Sequence, residues 1–173
     1  MEINLATYPA LIPNRHILSS VREVYNAIFL TGDLIGESLL FGKGAGMDPT
    51  ASSVISDIIS IGKNILCGAK PSPLPVKPEK ELQVQSDFES RYYFRFSALD
   101  QPGVLAQIAE ILGKHNISIA SCIQKEESPK KAVPVVVLTH RANESAVKAA
   151  ISEIDRLPAI KAKTVLLRLA FDG

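Results

Sequence analysis

Apolar and polar residues alternate along 91–98, with Tyr92, Phe94 and Phe96 on one side and Tyr93, Arg95 and Ser97 on the other. That period of two predicts a half-buried strand. Asp100-Gln101-Pro102-Gly103 follows, a turn by composition. Over 103–115 the spacing changes: Val104, Leu105, Ile108, Ile111 and Leu112 recur at three- and four-residue steps, predicting an amphipathic helix. Asn116 suits a left-handed stop, and Asp100 and Pro102 suit the helix cap and first turn. Alternation returns at Ile117, Ile119, Ser121 and Ile123, and, after a polar turn at 126–131, at Val133, Val135 and Val137. Pro134 is awkward there and predicts a strand start or a bulge. Asn143 and Glu144 open a second helix with a stripe of Ala146, Val147, Ala150, Ile151 and Ile154, and Val165, Leu167 and Leu169 mark a last strand. The order βαββαβ, with right-handed crossovers, places both helices on one face of a four-stranded antiparallel sheet.

Residues 1–68 read differently. Tyr8–Ile12 looks extended and Ile17–Val24 a short helix. Tyr25–Thr31 and Gly36–Phe41 read as strands joined at Gly32-Asp33. A long helix then starts with Asp48 as cap and Pro49 in its first turn, and runs to about Cys67. So few elements make a thin core, which implies a larger sheet outside the chain or strands supplied by a partner. Between the two pieces, Pro71, Pro73, Pro75 and Pro78 exclude helix and central strand, so 69–87 is read as an extended linker. The expected domains are therefore 1–68 and 88–173, in an α+β chain.

Composition removes several classes of function. At 46% hydrophobic and 21% charged, the chain is not intrinsically disordered. A net charge of +1 gives no electrostatic footprint for nucleic acid or an anionic membrane. No run of 18 apolar residues spans a bilayer. Cys67 and Cys122, far apart and outside any CxxC, suit two buried thiols in a reducing cytoplasm. His16, His115 and His140 are scattered, so no metal site is expected.

Two loops carry candidate chemistry. Gly42-Lys43-Gly44-Ala45-Gly46, ahead of a helix, suits either a tight strand-to-helix turn or an anion approached by backbone N–H groups. Lys43 either pairs with a phosphate or stays solvated. Asp100–Val104 has the same duality of turn and ligand loop.

The first loop, with Pro49-Thr50-Ala51-Ser52-Ser53-Val54 after it and Asn26-Ala27 and Gly32-Asp33 before it, resembles the end of the catalytic part of homoserine dehydrogenase. Arg91-Tyr92-Tyr93, Asp100-x-Pro102-Gly103-Val104-Leu105 and Asn116-Ile117-Ser118-Ile119 resemble the ACT domain at the tail of the bacterial enzymes. The resemblance implies a ferredoxin-like ACT domain joined to a partial α/β catalytic segment. It implies NADP or NAD near Gly44, Gly46 and Lys43, held only weakly by this chain alone. It implies L-threonine as effector at Asp100, Pro102, Gly103, Val104, Asn116 and Ile117, lying between the first loop and the second strand of a partner, hence a homodimer or higher homo-oligomer. The family's nucleotide-binding glycines and catalytic lysine have no counterpart here. No catalytic residue is therefore expected, and the chain is read as a C-terminal fragment of the enzyme. A free-standing amino-acid-binding regulator is the rival reading. The intact GKGAG and PTAS segments count against it.

Overall fold

In a computed structural model, the described residues are 2–69, 83–85, 87–124 and 132–171. Chain contacts divide the molecule into two units, Met1–Ile12 with Lys80–Gly173, and Pro13–Glu79.

The larger unit holds the sheet read from the sequence. Strands β6 (Glu89–Leu99), β7 (Ile119–Gln124), β8 (Ala132–Thr139) and β10 (Ile160–Leu169) pair antiparallel in the order β10-β6-β8-β7. Helices α2 (Val104–Lys114) and α3 (Glu144–Ile154) make the crossovers. Tyr92, Phe94 and Phe96 are fully buried, with neighbouring ring centroids 6.4 and 5.6 Å apart. They pack against Ile108, Ile111 and Leu112 of α2 and Val147, Ala150 and Ile154 of α3. Burying each such side chain contributes roughly 1.5–3 kcal/mol. Asn116 holds φ 57° and stops α2, as its side chain permits. Pro134 lies inside β8, opposite Ser97 on β6. The described β7 pairing ends at Val135, one residue short of it, so no β7 ladder bond is lost there.

Short strands complete this unit. β2 (Ala10–Leu11) adds parallel to the β10 edge, β1 (Glu2–Ile3) pairs with β5 (Gln83–Val84), and β9 (Ala142–Asn143) pairs with the start of β6. Residues 1–12 thus group with the C-terminal unit, whereas the sequence reading joined them to 13–68. Backbone pairing holds them, together with one side-chain clamp. The Arg168 guanidinium lies 3.7 Å from the Tyr8 ring centroid and 4.4 Å from that of Phe88, and is bonded to the Glu144 carboxylate. Glu144 is also paired with Lys148 at 2.6 Å. The Tyr92 hydroxyl and Arg168 Nη1 are buried beside this clamp without a hydrogen-bond partner. Burial and the Glu144 carboxylate push the Tyr92 phenol up to about 12.

The smaller unit contains a 3-10 turn at Ile17–Ser20, the hairpin β3 (Tyr25–Gly32) with β4 (Gly36–Lys43), and helix α1 (Met47–Leu66). No residue of α1 is buried. Tyr25 and Phe41 stack at 4.8 Å across the hairpin.

Two expectations are corrected here. Cys67 and Cys122 are exposed, not buried: Cys67 caps the end of α1, and Cys122 sits on the edge strand β7, with desolvation raising its thiol pKa. Asp48 does not cap α1. Gly46 does, at φ 130°, with its carbonyl accepting from Thr50 N and Thr50 Oγ1, so the helix begins ahead of Asp48. The proline-rich stretch 70–82 and the 126–131 turn lie outside the described residues.

Candidate functional site

The loop after β6 forms a cleft. Its wall is residues 98–105 with Gln124 at the end of β7 and Val135 on β8, around a cavity of about 280 Å³. Asp100 is not the helix cap. Gly103 takes that position at φ 90°, a conformation glycine reaches without steric cost, and no side chain caps α2. Asp100 is thereby released to accept from Gln124 Nε2 at 2.8 Å, tying the loop to β7. Because no side chain caps α2, its start keeps positive dipole and N–H groups for a carboxylate.

Four expected effector residues, Asp100, Pro102, Gly103 and Val104, line this one cleft. Asn116 and Ile117 do not. They follow the far end of α2, whose eleven residues span about 16 Å at about 1.5 Å each. Ile117 is buried in the core, whereas Asn116 is exposed. One copy therefore cannot bring both ends of α2 to one small ligand. Gln124 was missed by sequence reasoning. It ends an alternating strand, and only the pairing of β7 with β8 carries it to the loop.

The glycine loop of the smaller unit is built differently. Gly44 N donates to Val24 O at 2.9 Å, and a Cβ at Gly44 would lie 1.6 Å from Asn26 Nδ2. Asn26 thus gives Gly44 a packing reason to be glycine. The α1 start carries the Asp48 carboxylate and Pro49, which has no N–H. These residues do not fit a phosphate cradle: one donor is spent, one is missing, and a carboxylate faces the same helix end. Lys43 is the cation of the loop. Among the described residues no cluster of His, Cys, Asp and Glu could hold a metal ion, and no helix is long and apolar enough to cross a membrane.

Comparison with known proteins finds two matched segments. Residues 1–59 match the homoserine dehydrogenase family and residues 92–159 the ACT domain. The chain is 35% identical to homoserine dehydrogenase of Pseudomonas aeruginosa over 95% of its own length and 40% of the relative's. It is 37% identical to that of Helicobacter pylori, over 96% and 39%. It superposes on the crystal structure of a homoserine dehydrogenase from Thiobacillus denitrificans with a TM-score of 0.79 at 34% identity, covering 96% of this chain and 39% of that one. The chain thus spans about two fifths of the relatives it matches. With both segments matched in the family's order, the chain belongs to the homoserine dehydrogenase family, as its C-terminal region with an ACT domain.

Proposed function

We propose that this chain is the regulatory and dimerisation end of an enzyme that reduces L-aspartate 4-semialdehyde to L-homoserine with NADPH or NADH, and that its ACT domain takes L-threonine as feedback inhibitor. The observation carrying the sensor reading is the Asp100–Gln124 bond, which closes one side of a cleft at an uncapped helix start. In this reading the α2 N–H groups take the amino acid's carboxylate, and Asp100 takes its ammonium or hydroxyl.

The same reading needs a second copy. Strand β7 ends the sheet, its sequence IASCIQ has no charge and no proline, and Ile123 is 45% exposed. Such an edge invites pairing. Two β7 strands running antiparallel across a two-fold axis would turn the second copy's Asn116 end toward the first copy's Gln124 end, the direction needed to complete the ligand set that one chain cannot assemble. Threonine would then favour one dimer arrangement and bias the catalytic part by linkage. For the cofactor, Gly44 and Gly46 supply a thin wall and Lys43 a charge. Hydride transfer itself needs groups beyond these.

The test is isothermal titration of the chain with L-threonine, with L-serine and L-lysine as controls. Saturable threonine binding, lost in Asp100→Ala and Asn116→Ala and weakened in Gln124→Ala, supports the sensor. A folded dimer that binds no amino acid overturns it and leaves the ACT domain a dimerisation element.

A further inference from the structure

The face of the ACT sheet turned away from the helices carries a second cleft. It is a cavity of about 370 Å³, and Ser97, Ala132, Pro134 and Ala162 give it depth, because none of them has a long side chain. Arg95 and Lys163 also line it, and among the described residues no acidic side chain does. Among the described ion pairs neither cation has a partner; the four pairs engage Lys114, His115, Lys148 and Arg168 instead.

Register explains how the cleft forms. Arg95 and Ser97 share the β6 face opposite Phe94 and Phe96, which fill the core. Strand β10 is irregular at this point: its pairing with β6 shifts between Ile160 and Ala162, and again between Ala162 and Val165. Thr164, inside the second irregularity, turns inward and is tied through its N–H and hydroxyl to Asp155 Oδ1 at 3.1 and 2.5 Å. Its neighbour Lys163 is thereby left on the outer face with Arg95. Irregularities of this kind recur where a strand re-aims a side chain. Here the irregularity brings a second cation beside a guanidinium, above a floor of small residues.

We propose that this outer cleft binds a small metabolite through its oxyanion group, a carboxylate or phosphate. The Arg95 guanidinium takes the oxyanion in fork geometry, Lys163 adds a point charge, and the Ser97 hydroxyl supplies a donor. The site is separate from the Asp100 cleft. The two lie on opposite faces of the same stretch of β6 and β8, since Ala98 and Val135, which line the Asp100 cleft, are buried toward the helices while Arg95, Ser97 and Pro134 face outward. The proposal does not depend on threonine binding.

The experiment is an NMR titration of the ¹⁵N-labelled chain with inorganic phosphate and, separately, with succinate, at constant ionic strength. The expected result is saturable shifts confined to residues 95–97, 132–134 and 162–165 with one of the two probes, which identifies phosphate or carboxylate as the group recognised. Affinity should fall at least tenfold in Arg95→Gln and in Lys163→Gln, and Arg95→Lys should recover only part of it. Both substitutions fall at exposed positions, and an unchanged spectrum elsewhere checks the fold. The proposal is overturned if neither probe saturates, if the shifts spread over all surface cations, or if Arg95→Gln binds as tightly as the parent.

Discussion

The two units solve the burial problem in opposite ways. Every buried side chain among the described residues lies between Tyr92 and Thr164, in the ACT unit. In the smaller unit, α1 carries Val54, Ile58, Ile61 and Ile65 at helical spacing, and each is more than half exposed. Both helices of the ACT unit and α1 are amphipathic by sequence. What differs is that α2 and α3 meet a buried sheet face of Tyr92, Phe94, Phe96, Val135 and Val137 on their own chain. The lesson is that an apolar stripe records a demand for a partner and not where the partner comes from. The ACT unit meets that demand internally, while α1 and its hairpin display it.

The largest effect that would break this comparison is a core deletion. Phe94→Ala should destabilise the ACT unit by about 3–5 kcal/mol in urea denaturation, since the ring is enclosed by both helices and its sheet neighbours. Ile58→Ala on α1 should change stability by no more than about 0.5 kcal/mol, because that side chain is 63% exposed. Equal costs would mean that α1 is buried in solution by an association absent here.

Next in size is the clamp that makes residues 8–12 part of the ACT unit. Arg168→Met should cost about 3 kcal/mol, at the low end for breaking a buried pair, because Lys148 still pairs with Glu144. Tyr8→Ala removes only the stacked ring, worth about 1 kcal/mol, and should expose residues 8–11 to hydrogen exchange without unfolding the sheet. A double-mutant cycle should find the two changes coupled. Additive costs would separate the arm from the clamp. The raised Tyr92 phenol adds a pH signature: its folded value lies above the ordinary 10, so stability should fall as pH rises from 10 toward 12. Tyr92→Phe should flatten that fall.

Much of the ACT unit was legible because its signals are local. Period-two alternation over 91–98 and 133–137, and three- and four-residue steps over 104–112, name their elements without knowledge of the rest of the chain. The caps were misread for a physical reason. Both Asp48 and Asp100 sit near a glycine, and sequence cannot say whether a carboxylate or a positive-φ glycine begins the helix; glycine does in both places. Cys122 was misread because alternation identifies a strand but not an edge, and β7 is an edge. The Arg168 clamp was invisible: Glu144 and Tyr8 are 24 and 160 positions away, and nothing local marks them as partners. The cleft loop was legible as a turn at Asp100–Gly103, whereas Gln124 entered only through strand register.

The smallest effect tests how the larger unit secures the start of α3, a detail the smaller unit lacks at α1. Asn143 is the helix cap by position, but its side chain makes no capping bond. Asp87 does that work from outside the helix: Oδ1 accepts from Ser145 N at 3.0 Å and Oδ2 from the Ser145 hydroxyl at 2.5 Å. The Ser145 hydroxyl, then its N–H, hold the Asp87 carboxyl below its ordinary 3.8. A depressed carboxylate contributes stability above its unfolded pKa and loses it as pH falls through the folded value. Asp87→Asn should therefore lower the melting temperature slightly at pH 7, with the difference from the parent starting to shrink as pH falls below about 4, where the unfolded carboxyl takes up its proton, and closing only below the lowered folded value. Ser145→Ala should show the same convergence, because it removes the larger cause of the shift. A difference that stays constant from pH 7 to pH 2 would mean that the capping bonds act without the charge, and α3 would then begin as α1 does, on backbone geometry alone.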